Sequence, residues 1–180
     1  MTTEPGRDGR RGAKNEPIGI GFRLPDASVQ QLSGLIENLT EAPYHGRADL
    51  PHLADEENLV MDELFPLIET LQLFGFAHVS GGDIELTPLG RAYAEADMLA
   101  RKQIFADAVM KHIPLAAHIR RVLDERPGHR APSARFLREL EDHLSEEEAE
   151  RVLDTLINWG RHAEIFAYDD DDRVLSLENF

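Results

Sequence analysis

Apolar residues recur along this chain at helical spacing, broken by short alternating stretches, and the change of period marks most of the elements. Val29, Leu32, Leu35, Ile36 and Leu39 share one face of a helix from about Ala27 to Leu39, with Asp26 placed to cap it. Leu50 and Leu53 mark a short helix over about Ala48 to Ala54. Val60, Leu64, Leu67, Ile68 and Leu71 form the stripe of a longer helix, about Val60 to Phe74. Gly75 suits the left-handed residue that ends a helix. Phe76–Val79 and Ile84–Leu86 then read as strands around Ser80-Gly81-Gly82-Asp83, a hairpin with Ile84 and Leu86 on one face and Glu85 on the other. Thr87-Pro88 opens the next helix with proline at its first position.

The pattern then returns. A helical connector, about Asp97 to His112, carries Ile104, Phe105, Ala108 and Val109 as its stripe. Pro114 starts a helix with Leu115, Ile119, Val122 and Leu123 inward, and Pro127-Gly128 ends it. A helix over about Ser133 to His143 buries Phe136, Leu137 and Leu140. Ser145-Glu146-Glu147-Glu148 is a capping box, and the helix it opens buries Ala149, Val152, Leu153 and Leu156. Ile165–Tyr168 and Val174–Leu177 form a second hairpin around Asp169–Asp172. The octet Ile68–Gly75 lines up with Leu153–Gly160: aliphatic, acid, Thr, Leu, two residues, aromatic, Gly. Matching context on both sides reads as an internal duplication.

Three helices followed by a β-hairpin is the winged-helix order. The expected fold is therefore mainly α with small β-hairpins (α+β), two winged-helix units in tandem joined by a helical connector. Residues 18–97 form the first unit, and residues 98–180 the connector and second unit. Units of roughly 80 residues bury little surface alone, so the two are expected to pack together. Residues 1–17 have no apolar core segment. With Arg7, Arg10 and Arg11 among glycines they read as a disordered tail, not a secretory signal.

Composition narrows the function. The chain has no cysteine, which removes disulfides, thiolate nucleophiles and cysteine-ligated metals. No apolar run approaches the roughly 18 residues that span a bilayer. The formal net charge is -15. The helix over about Val60 to Phe74, third in the first copy, carries Asp62, Glu63 and Glu69 without Lys or Arg, and its counterpart opens on three glutamates. The second hairpin turn is four aspartates. Phosphates and such surfaces repel, so DNA is not the expected partner.

Candidate chemistry is sparse. Lys14, Lys102 and Lys111 are the only lysines, and none follows a phosphate-binding glycine pattern. Ile18-Gly19-Ile20-Gly21-Phe22 holds a lone G-x-G and reads as a short extended lead-in. His112 and His118 are separated by Pro114, and His45 and His52 lie in turn-rich sequence near Asp49 and Asp55. Neither pair has a metal-ligand spacing. Asp169–Asp172 lacks the spaced oxygens of a calcium loop. The expectation is no catalytic residue, no cofactor and no metal.

One charge feature stands apart. Between Met98 and Arg138 lie nine basic residues against Asp107, Asp124 and Glu125, and seven of the nine are arginine. Two accounts fit: the segment pairs internally with acidic lobes on either side, or it presents a docking face to an acidic partner, where arginine's fork suits carboxylates. The partner-binding candidates are Arg101, Arg120, Arg121, Arg130, Arg135 and Arg138.

A family resemblance is carried by Gly46-Arg47-Ala48-Asp49-Leu50, Leu71–Ala77, Gly82–Gly90, Arg101–Phe105, His112–Leu115, Arg126–Pro132, Phe136–Leu140, Ser145–Glu150, Trp159-Gly160-Arg161 and Phe166–Asp169. Together they resemble the C-terminal AAA-associated domain, found behind the ATP-binding subunit of ABC importers of the nitrate, sulfonate, taurine and bicarbonate type. The likeness runs from about Ser28 to Glu178. It implies a non-catalytic accessory or regulatory role beside an importer ATPase, in the cytoplasm and peripheral to the inner membrane. The expected form is a stand-alone module acting on a separate ATP-binding subunit, and homodimer formation stays open. Two rival readings remain: a winged-helix transcriptional regulator, and a small-molecule sensor with its pocket between the two units.

Overall fold

The computed structural model describes residues 19–177, and the tail read over residues 1–17 lies outside them. An extended segment leads into α1 (Val29–Thr40), followed by β1 (Arg47–Asp49), α2 (Leu50–Glu56), α3 (Met61–Leu73), β2 (Ala77–Ser80) and β3 (Asp83–Leu86). After α4 (Pro88–Glu95) and α5 (Met98–His112) the order recurs. It runs α6 (Pro114–Glu125), a 3-10 turn at Pro127–His129, β4 (Arg130–Pro132), α7 (Ser133–Glu141), α8 (Glu146–His162), β5 (Ala167–Asp169) and β6 (Val174–Ser176). The protein is thus mainly helical with two small antiparallel sheets, an α+β architecture.

Each sheet has three strands, and the last strand in the chain is the middle one: β1-β3-β2 and β4-β6-β5. Both hairpins form where the alternation placed them. The edge strands β1 and β4 are additions to that reading. Each is three residues long and buries one small side chain, Ala48 opposite Ile84 and Ala131 opposite Leu175. A single inward alanine leaves no alternation to detect.

Helix starts follow side-chain oxygens. Ser28, not Asp26, caps α1: its hydroxyl accepts from the Gln31 amide while the Gln31 side chain accepts from the Ser28 amide. Thr87 caps α4 and donates its hydroxyl to the Gly75 carbonyl, tying the start of α4 to the chain that leaves α3. Asp97 caps α5, and Ser145 caps α8 by accepting from the Glu148 amide. Glu146 to Glu148 in the first turn of α8, with Arg161 and His162 in its last, complement the helix dipole. Val60 precedes α3 and is exposed, so the buried stripe there begins at Leu64.

The two repeat glycines do different work. Gly75 sits just beyond α3 with φ +73°, the left-handed conformation that glycine tolerates best. Gly160 lies inside α8, which runs on to His162, and Glu164 is the left-handed residue instead. Gly160 supplies room: a β-carbon there would enter the Phe166 ring.

One apolar core runs through both halves. At its centre Phe74 beyond α3, Phe105 of α5 and Trp159 of α8 are fully buried and meet edge-on. Their centroids are 5.4 Å apart for Phe74 and Phe105, and 6.4 Å for Phe105 and Trp159. The lead-in segment binds the halves from outside. Arg23 pairs with Glu148 at 3.0 Å, Arg151 Nη1 donates to the Leu24 carbonyl, and Trp159 Nε1 donates to the Ala27 carbonyl, both at 2.8 Å. Leu24 and Ala27 are buried beneath it.

Candidate functional site

The basic stretch divides once its partners are assigned. Arg101 is committed inward: Nε donates to the Tyr93 carbonyl at 3.0 Å, Nη2 to the Ala94 carbonyl at 2.6 Å, and Nη1 to Glu37. Its guanidinium also lies 5.6 Å from the Tyr93 ring centre. It therefore fastens the end of α4 to α5 and α1. Lys102 pairs with Glu164 at 2.9 Å. Arg120 donates to the Ile165 carbonyl at 2.9 Å and lies 3.5 Å from Asp124. Arg126 donates to the Arg130 carbonyl at 2.8 Å, closing the 3-10 turn.

A polar chain joins α6 to α7. Arg121 Nη2 donates to His118 Nδ1 at 3.1 Å, His118 Nε2 bonds Glu139, and Glu139 accepts from Arg135 Nε at 3.1 Å. Because Arg121 has only protons to offer, His118 Nδ1 acts as acceptor, and Nε2 carries the proton given to Glu139. His118 also packs edge-on against Phe136. Arg135 is thus spent inside the protein.

Of the six candidate residues, Arg121, Arg130 and Arg138 remain exposed, on α6, β4 and α7. Among the described residues, none of the three meets a carboxylate within ion-pair distance. Arg101, Arg120 and Arg135 do, at Glu37, Asp124 and Glu139.

The acidic surfaces are organised too. In the Asp169–Asp172 turn, Asp169 Oδ1 accepts from the amides of Asp171 and Asp172 at 3.0 and 3.1 Å, and Arg161 holds Asp170 at 3.2 Å. Asp169 therefore makes the turn. A cavity of about 420 Å³ opens beside it, lined by Leu137, Leu153, Ile157 and Tyr168 with Glu150 and Asp154. A second cavity, about 240 Å³, lies where α1, α4, α5 and α8 meet, lined by Ser33, Tyr93, Met98, Arg101, Lys102 and His162. Its polar groups are turned to one another: the Ser33 and Tyr93 hydroxyls are 2.7 Å apart, and both cations face their carboxylates.

The histidines stay apart. His52 lies 3.5 Å from Glu56, whose carboxylate also accepts from Tyr44. Burial and that Glu56 bond push the Tyr44 phenol up to about 12. Burial, with Lys111 adjoining, lowers His112; burial, with Lys102 nearby, lowers His162 despite Glu164. Among the described residues, no group of three or more His, Asp or Glu side chains is arranged to hold a metal ion. Among them, too, no helix is long and apolar enough to cross a membrane.

A twice-used order of helix, strand, two helices and hairpin around one shared core makes this an α+β protein of repeated design. The chain belongs to the C-terminal AAA-associated domain family, whose model matches residues 51–169. The match lies within the 28–178 stretch over which the sequence resembles the family, and runs from α2 through β5. No curated protein and no solved structure matches the chain.

Proposed function

We propose that this protein is a non-catalytic accessory module that binds the ATP-binding subunit of an ABC importer, at the cytoplasmic side of the membrane, and biases its assembly or turnover. Family membership carries the reading, since a domain described as AAA-associated points to an ATPase partner. Each half is read as a winged-helix unit. Its element order, and a three-stranded sheet with the edge strand contributed between the first two helices, support that assignment. The docking face is the exposed set Arg121, Arg130 and Arg138. A duplex is a poor partner, because α3 and the start of α8 carry carboxylates where a groove-reading helix carries cations.

The test is affinity capture from native lysate, solubilised membranes included, with the wild-type chain and the Arg121→Glu, Arg130→Glu, Arg138→Glu variant. Recovery of an importer ATP-binding subunit by the wild type and its loss from the variant is the expected result. Recovery of no transport component overturns the reading.

A further inference from the structure

The duplicated halves differ sharply at one place. With Ile68 set against Leu153, the positions Val60, Met61 and Phe65 correspond to Ser145, Glu146 and Glu150. The second half is polar there, as an exposed helix start should be. The first half is apolar and yet exposed: Val60 keeps 64% and Phe65 51% of its surface open to solvent. Met61 and Phe65 stand one turn apart on α3, so the two side chains adjoin. Leu59 and Met61 are half-buried and pack against the core, so Val60 and Phe65 are the open part of the patch.

The buried stripe of α3 points the other way, through Leu64, Leu67, Ile68 and Leu71. Phe65 is therefore not a displaced core residue. Exposed Asp62 and Glu69 flank Phe65 one turn away on α3, Asp55 and Glu63 are exposed nearby in the sequence, and the stretch 48–74 contains neither lysine nor arginine.

We infer that this face of α3 is a docking site for a basic, apolar-anchored segment of a protein partner, such as an amphipathic helix with lysines or arginines beside its apolar stripe. An aromatic on a helix face, flanked by carboxylates, offers apolar contact at the centre and opposite charge beside it. A second copy of this chain is the wrong occupant, because a symmetric pairing sets the same acidic rim against itself. The inference stands independently of the ATPase reading, which uses the arginines of α6, β4 and α7.

The test uses the full chain and a fluorescent amphipathic helix built from Leu and Lys, with a Leu and Glu helix of the same pattern as control. Amide shifts of the labelled protein locate the contact. The expected result is binding of the Lys helix alone, with shifts gathered over residues 55–73, and at least about tenfold weaker binding in Phe65→Glu. Glutamate is the residue the second half carries at that place, and circular dichroism checks the fold. Val60→Ser, again the second half's residue, weakens binding independently if Phe65→Glu misfolds. Asp170→Asn with Asp171→Asn leaves binding unchanged. Equal losses from the α3 and turn variants would reduce the contact to diffuse charge and overturn the site. Phe65-dependent dimers in sedimentation, or tighter binding after removal of residues 1–18, would assign the patch to a second copy or to the chain's own leader, and also overturn it.

Discussion

Phe74 and Trp159, which occupy the same place in the two halves, pack edge-on against each other with ring centres 5.3 Å apart. Equivalent positions touch when two copies face one another across a shared surface, so the aromatic of the repeated octet builds the junction. Phe105 closes the cluster from α5, and the Trp159 indole reaches the Ala27 carbonyl in the lead-in segment. Replacing Trp159 with alanine removes a fully buried ring from that junction and should cost about 3–5 kcal/mol. Trp159→Phe keeps the ring contact and loses the hydrogen bond, a loss of about 1 kcal/mol. Urea unfolding followed by the fluorescence of this single tryptophan and by far-ultraviolet circular dichroism should give one coincident transition. Two separated transitions would mean that the halves unfold independently.

The glycines of the octet give a sharper comparison. Gly75→Ala meets open space and pays only for its left-handed backbone, about 1 kcal/mol. Gly160→Ala meets no backbone penalty, since the residue is helical, but drives a methyl into Phe166 and should cost about 1–3 kcal/mol. Phe166→Leu clears part of that space. The double variant should therefore be more stable than the sum of the two single losses, as a double-mutant cycle reads directly. Strict additivity would show that the ring is not what Gly160 accommodates.

Much of this fold was legible because helices announce themselves by period. The stripes of α1, α5, α6 and α8 lie inward as spaced, and Thr87 and Ser145 cap where their oxygens stood in the sequence. The edge strands escaped notice because Ala48 and Ala131 each give only one inward residue. The path of the lead-in over α8 also had no local signal: Leu24 meets Arg151 and Ala27 meets Trp159, each across more than a hundred residues of chain. Individual arginine roles were hidden for the same reason. Composition shows a basic stretch, but whether a guanidinium finds a carbonyl, as Arg101 finds Tyr93 and Ala94, depends on where helices end in space. The exposed Phe65 carried a faint signal, since it falls outside its helix's buried stripe and faces Glu150 in the repeat alignment.

His162 makes stability depend on pH. Burial, then Lys102, lowers its imidazole in the folded protein, and His112 is lowered by burial and Lys111. The unfolded chain therefore takes up protons first as pH falls. The contribution is fully present above the usual value near 6.5 and is lost as pH drops below it towards the folded values. Melting temperature should fall between about pH 7 and pH 5.5, before most carboxylates titrate. His162→Gln should flatten that slope, because a neutral amide has no proton to gain. An unchanged slope in that variant would move the dependence elsewhere.

Arg101 and the trio Arg121, Arg130 and Arg138 should separate stability from binding. Arg101→Ala orphans the Tyr93 and Ala94 carbonyls at the end of α4 and leaves Glu37 without its cation. Arg101 is only partly exposed, so the loss should be about 1–3 kcal/mol, read as a lower urea midpoint. Arg130 and Arg138 make no such bonds among the described residues, and Arg121 gives only one, to His118. Reversing all three should leave the unfolding free energy within about 0.5 kcal/mol of wild type, as exposed substitutions do. The same variant should lose capture of the ATP-binding subunit, because three exposed forked cations become three carboxylates. If Arg101→Ala loses capture as completely as the triple reversal while remaining folded, the contact lies at the junction of α1, α4 and α5. The exposed arginines of α6, β4 and α7 would then be a solvated surface with no part in docking.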